Sequence, residues 1–277
     1  MSVGSVAWQS SLRAVPRLAW LFLVLGALVV LRSLVQPTFA PISAIAGGGS
    51  CFFAAAVLYV RPVDRPIAWG AIALAFVPTI AVIANVVPNA WFAIAPGDWK
   101  NATPLLADLA GAASQVASLI AVAGLYLLAI GLGGVRSFVS FLILGLGAAL
   151  ALANLTWTLA HPIEGFPVLE LVRSVAFATL YVLGLAFVFA AAVESLRNLT
   201  MVGAGLLFAA AAVSDVLLWW QPGPGTNTDL LSLLLGSLML GGWLGLVAGA
   251  LRGEMNDAAV APRSRAGRGS AARRRGA

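Results

Sequence analysis

Residues 164–197, EGFPVLELVRSVAFATLYVLGLAFVFAAAVESLR, limit what this chain can fold into more than any other stretch. Its middle, Ser174–Val193, carries no charge over twenty positions. At ~1.5 Å per helical residue that is ~30 Å, the hydrocarbon thickness of a bilayer. Each end has the same signature, a Glu three residues ahead of an Arg: Glu170 with Arg173, and Glu194 with Arg197. Backbone in lipid must bond to itself, so the stretch reads as one membrane-crossing helix with an ion pair at each boundary.

The pattern recurs along the chain. Hydrophobic residues make up 61% of it and charged residues 9%, with a mean hydropathy of +0.99. Soluble domains are about one quarter charged, and a water-soluble monomer does not tolerate this much apolar surface. The expected fold is an all-α membrane protein, an eight-transmembrane-helix bundle. The spans fall at 18–35, 41–60, 66–87, 105–132, 137–159, 167–197, 199–220 and 229–251. Pro78 is expected to kink the third span, and Pro167 suits the first turn of the sixth. The longest loop is expected at 88–104, PNAWFAIAPGDWKNATP, with Trp91 and Trp99 at a membrane interface. Residues 1–17 form a cytoplasmic lead, 18–251 the transmembrane domain and 252–277 a basic, disordered cytoplasmic tail. The first span has two readings. Thr38-Phe39-Ala40 resembles a leader-peptide cleavage site, whereas Arg32 and the long spacer favour a retained helix.

Eight spans put both termini on one side, and basic residues choose which. With the N-terminus inside, Arg13, Arg17, Arg61, Arg65, Arg136, Arg197 and Arg252 fall inside with the tail. Only Arg32, Lys100 and Arg173 fall outside. Fifteen of the sixteen basic residues are Arg, and Ala and Gly are abundant, as in GC-rich coding. The expected location is a bacterial cytoplasmic membrane, multi-pass, with both termini cytoplasmic. Membrane topology also accounts for the net charge of +6, so nucleic acid is not an expected partner.

FFAAAV at 52–57 precedes Arg61 by the same spacing as VFAAAV at 188–193 precedes Arg197. FLVLGALVVL at 22–31 resembles FLILGLGAAL at 141–150, and AVAGLY at 121–126 resembles LVAGAL at 246–251. These likenesses suggest two parallel four-helix repeats, 18–136 and 137–251, related by an axis along the membrane normal.

Several chemistries lack their residues. One histidine, His161, excludes paired-His haem and multi-His metal sites, and one cysteine, Cys51, excludes dithiol redox chemistry. No cofactor and no metal is expected. What remains is a set of ionisable groups that the topology puts toward the outer face: Arg32, Asp108, Glu170, Arg173, Asp215 and Asp229. Asp215 lies about 26 Å up a core of about 30 Å. Charge at such depth persists when it is paired and turned inward, so an outward-facing polar cup is expected, with Arg173 as its cation. Ser237, Gly241, Gly245 and Gly249 recur every four residues and suggest a helix-packing stripe.

Three functions fit this pattern. The leading one is a transporter or binder of a small solute or lipid through the cup. The second is a non-catalytic sensor, assembly or accessory subunit, consistent with sparse mid-membrane polarity. The third is an intramembrane lipid-modifying enzyme using Asp215 and Asp108. Expected partners are membrane lipids, a small-molecule or lipid ligand, and a protein partner or second copy of the chain.

Overall fold

The computed structural model describes residues 15–35, 45–60, 64–94, 99–133, 167–220 and 228–255. Their regular structure is entirely helical. Seven helices stand among them: α1 (Val15–Val35), α2 (Gly49–Tyr59), α3 (Arg65–Ile94), α4 (Trp99–Gly131), α5 (Pro167–Glu194), α6 (Asn198–Trp220) and α7 (Thr228–Leu251). The segment expected to form a span at 137–159 and the tail from 256 onward lie outside the described residues, as do the lead residues 1–14.

Local chemistry explains three of the helix ends. α5 begins at Pro167, where the missing N–H is one that no helix residue would have satisfied. It ends in a Schellman turn: Arg197 N–H donates to the Ala192 carbonyl at 3.1 Å and Leu196 N–H to Val193 at 3.1 Å. The left-handed position of that turn is held by Leu196, with φ of 51°. α7 ends in the same motif with a glycine in that position. Gly253 has φ of 75°, Glu254 N–H donates to the Gly249 carbonyl at 3.1 Å, and Gly253 N–H donates to Ala250 at 2.9 Å.

Two boundaries differ from the sequence expectation. α3 runs on to Ile94 and α4 starts at Trp99, so most of the expected 88–104 loop is helix. Both helices carry a proline in this stretch, Pro88 and Pro104, and a proline removes one hydrogen bond without necessarily ending a helix. The second span is broken where the expectation was continuous: residues 45–47 are helical, Gly48 is a turn, and α2 starts afresh at Gly49.

Successive helices pack as hairpins. α3 lies on α4, α6 on α7, α1 on α2, α2 on α3 and α5 on α6. Two further seams join these hairpins, α4 with α5 and α2 with α7. Across the seams Gly49 and Phe53 meet Trp243, while Gly184 meets Leu125 and Phe187 meets Tyr126. All these positions lie roughly one to three turns before the C-terminal end of their helix. The C-terminal ends of α2, α4, α5 and α7 therefore share one end of the bundle with the starts of α1, α3 and α6. The buried core runs through the middle, from Phe22 and Phe53 to Leu128, Val188, Leu207 and Leu246.

One contact pattern occurs twice. Across α3 and α4, Ile67 meets Gly131, Gly70 meets Gly124 and Leu128, and Leu74 meets Gly124. Across α6 and α7, Thr200 meets Gly249, Gly203 meets Gly242 and Leu246, and Leu207 meets Gly242. A single offset carries the α3 residues onto the α6 residues, and another carries α4 onto α7. The helix starts obey the first offset too: the Asp64 carbonyl accepts from Ala68 N–H at 3.1 Å and the Arg197 carbonyl from Met201 N–H at 2.7 Å. This register matches Gly249 with Gly131, whereas the AVAGLY and LVAGAL likeness pairs it with Gly124. Seven residues make about two helical turns, so small-residue helices look alike one heptad apart.

Helix Leu230–Leu251 is long and apolar enough to cross a membrane, and 22% of its most apolar window is buried. A core helix of a soluble protein would be mostly covered. The other described apolar stretches, such as Val116–Gly131 and Thr179–Glu194, are shorter.

Candidate functional site

The helices bring the six expected cup positions to the bundle end opposite the C-termini of α2, α4, α5 and α7. Arg32 is in the last turn of α1, Asp108 in the first third of α4, and Glu170 and Arg173 in the first two turns of α5. Asp215 is in the last two turns of α6 and Asp229 in the first turn of α7. Arg32 is half-buried. The side chains of the other five lie outside the described residues.

The expected packing stripe divides. A Cβ added at Gly245 would stand 2.6 Å from the Gly203 Cα, and one at Gly249 would strike the Thr200 hydroxyl. One at Gly241 would meet only the Leu206 side chain, at 3.2 Å. Ser237 is exposed and donates back to the Leu233 carbonyl of its own helix at 2.7 Å. A four-residue step overshoots a 3.6-residue turn, so such a row winds round the helix and Ser237 has left the contact face. Gly242, which the stripe omitted, takes its place: a Cβ there would stand 2.5 Å from Leu207 Cγ.

The best-defined polar cluster lies at the other end and was not expected. Glu254, just beyond α7, reaches the start of α6. Leu199 N–H donates to its Oε1 at 3.2 Å, and Thr200 N–H and the Thr200 hydroxyl both donate to its Oε2 at 2.9 Å. The first N–H groups of a helix have no partner within it, and the helix dipole makes that end positive. α6 has Arg197 before its first residue and no acid in its first turn, so its cap comes from a residue more than fifty positions away. Burial pushes the Glu254 carboxyl up. The Thr200 and Leu199 N–H groups, the Thr200 hydroxyl and the Arg252 charge outweigh it and hold the carboxyl below its ordinary 4.5. Thr200 is fully buried, so water cannot replace the carboxylate at its hydroxyl. The available signal in sequence was Gly253, a C-terminal stop that turns the next residue back onto the bundle.

A second buried polar group went unnoticed in the sequence. Tyr126 is 0% exposed in α4, its ring 5.8 Å from that of Phe187 on α5. Its hydroxyl has no hydrogen-bond partner among the described residues. Cys51, by contrast, is a buried core residue whose Sγ donates to the Ala75 carbonyl at 3.4 Å.

Chemically, the Glu254 carboxylate is committed to structure. Among the described residues no three His, Cys, Asp or Glu side chains gather as a metal site. Comparison with protein-family models, with curated proteins and with solved structures gives no match.

Proposed function

We propose that this chain is a multi-pass protein of the bacterial cytoplasmic membrane, both termini inside, that binds or transports a small solute or lipid. The observation that carries the reading is the doubled contact pattern of α3 with α4 and α6 with α7. A chain built twice over with an even number of spans per copy gives two repeats of like orientation, the plan of parallel-repeat transporters. α4 and α5 run the same way, so the chain between them joins opposite ends of the bundle. The apolar run at 137–159 is long enough for that crossing.

The surface supports the membrane part. Leu21, Leu28 and Leu31 of α1 and Leu230, Leu234 and Leu244 of α7 are exposed, as lipid-facing residues would be. Arg17, Arg65 and Arg252 are exposed at the end that would face the cytoplasm, with Trp20, Tyr59 and Trp69 beside them as interfacial anchors. The opposite end collects the acidic cup positions and Arg173.

Native mass spectrometry after minimal delipidation tests this reading. The expected result is a stoichiometric small molecule or specific lipid that is lost in Arg173→Ala while the fold is kept. A stoichiometric protein partner with no small ligand would favour the accessory-subunit alternative instead.

A further inference from the structure

α1 and α3 both start at the inner end of the bundle and both pack on α2. They touch each other where Phe22 meets Phe76, ring centroids 6.0 Å apart and planes at 90°. Two helices resting on a third leave a groove on the side away from it. On α1, Gly26 and Val30 lie to one side of Phe22 and meet Gly48, just before α2. The helical turn puts Leu18 and Leu21 on its other side. On α3, the Ala75 carbonyl faces α2, where Cys51 Sγ donates to it. Arg65, Trp69 and Phe76 follow at steps of four and seven, on the face turned from α4. Leu18, Leu21, Trp69 and Phe76 are exposed, and so are Arg17 and Arg65 in the first turns of their helices. From Arg65 to Phe76 the helix rises about 16 Å, close to half of a hydrocarbon core of about 30 Å. The groove therefore runs the depth of one leaflet, with its cations at the headgroup end.

Contact with bulk lipid asks only for apolar side chains, and the second repeat shows how little suffices. The offset that carries Gly70 onto Gly203 carries Arg65, Trp69 and Phe76 onto Asn198, Val202 and Ala209. Asn198 and Val202 are exposed as well. The second repeat thus meets its surroundings on that face with no cation and no ring. The arginine and the two aromatic residues are peculiar to the first.

We propose that the groove between α1 and α3 holds one anionic phospholipid of the inner leaflet, its headgroup at Arg17 and Arg65 and an acyl chain along Leu21 and Phe76. The guanidinium fork suits a phosphate. Two arginines against Asp64 leave the mouth of the groove net positive, which selects an anionic headgroup over a zwitterionic one. Trp69, one turn above Arg65, sits at the depth where headgroup gives way to chain and indole is favoured. The inference rests on the membrane part of the reading above and not on the polar cup, whose expected positions are at the other end of the bundle.

The test is native mass spectrometry of the full-length protein in mild detergent, titrated with phosphatidylglycerol, phosphatidylethanolamine or phosphatidylcholine of matched chains. The wild type should take up its first phosphatidylglycerol about fivefold or more tightly than either zwitterionic lipid. Arg17→Gln and Arg65→Gln should each weaken that binding about fivefold, the worth of one arginine at an anionic surface. Arg252→Gln removes an exposed arginine at the same end on α7, outside the groove, and should leave it unchanged. Trp69→Val, which installs the residue of the second repeat, should weaken all three lipids alike and keep the headgroup preference. Equal losses in all three arginine variants would mean diffuse surface charge and overturn the site, as would no headgroup preference in the wild type. A dimer that Trp69→Val dissociates, with no lipid preference, would overturn it in favour of a second copy of the chain on this face. The Arg173→Ala experiment is read separately: loss of a cup ligand with no effect of Arg17→Gln or Arg65→Gln keeps the binder reading and removes this site. A chain that stays in solution without detergent and takes up no lipid would overturn both.

Discussion

Glu254 gives the sharpest prediction for stability. Its carboxylate accepts from Leu199 N–H at 3.2 Å and from the Thr200 N–H and hydroxyl at 2.9 Å each. Glu254→Gln keeps the shape but removes the charge and turns an NH2 toward donors. With charged hydrogen bonds worth ~1.5–3 kcal/mol and a helix-terminal charge ~0.3–1 kcal/mol, the loss should be about 1–2 kcal/mol after partial rescue by the amide oxygen. Glu254→Ala strands three donors, one on a fully buried threonine, and should cost about 3 kcal/mol. The pH dependence follows from the sign of the shift. The folded carboxyl titrates below its ordinary 4.5, so its stabilisation is present above that value and is lost as pH falls through the folded value. Equilibrium unfolding in mild detergent from pH 7 down to pH 3 should show the wild type converging on Glu254→Gln as acid is added. Amide exchange at Leu199 and Thr200 should quicken in the variant. Equal stability at pH 7, with unchanged exchange at those two amides, would refute the clasp.

Three substitutions test other contacts. Gly245→Ala drives a Cβ into the Gly203 backbone at 2.6 Å and should cost ~1–3 kcal/mol or more, while Ser237→Ala, on the exposed side of the same helix, should stay within ~0.5 kcal/mol in the same unfolding assay. Leu196→Gly should stabilise the chain by up to ~1 kcal/mol, because an 83% exposed leucine holds a left-handed φ of 51° that glycine adopts freely; a lower melting temperature would contradict this. Asp215→Asn and Arg173→Ala, made singly and together, should show a coupling of at least ~0.5 kcal/mol if the cup is one network, whereas additive effects would separate the two residues.

Where chemistry is local, the sequence was readable. Pro167 marks the first residue of α5, and the apolar runs mark α6 and α7 to within a residue. Where two local signals compete, the reading failed. Residues 88–104 mix prolines and polar residues with tryptophans and other apolar residues, and helix stands over most of the expected loop. The row Ser237, Gly241, Gly245 and Gly249 was counted at a spacing of four, and the 3.6-residue turn moved its first member off the contact. Most opaque were the distant polar contacts. Glu254 sits three residues past α7 in what reads as the root of a tail, and nothing near it names Thr200 as its partner. Tyr126 looks like any tyrosine in an apolar helix until the seam with α5 is seen. The polar cup stays an expectation drawn from sequence, because the side chains of Asp108, Glu170, Arg173, Asp215 and Asp229 lie outside the described residues.

In the proposed topology the chain crosses the membrane as two repeats of like orientation. Cysteine labelling in spheroplasts tests it directly, in a Cys51→Ala background with a membrane-impermeant maleimide. Asp64→Cys and Ser195→Cys mark equivalent turns of the two repeats, and Lys100→Cys and Thr228→Cys the first turns of α4 and α7 at the opposite end. Two repeats of like orientation give labelling of Lys100→Cys and Thr228→Cys in sealed spheroplasts, and of Asp64→Cys and Ser195→Cys only after permeabilisation. Asp64→Cys and Ser195→Cys on opposite faces, or all four labelled alike without permeabilisation, would contradict it.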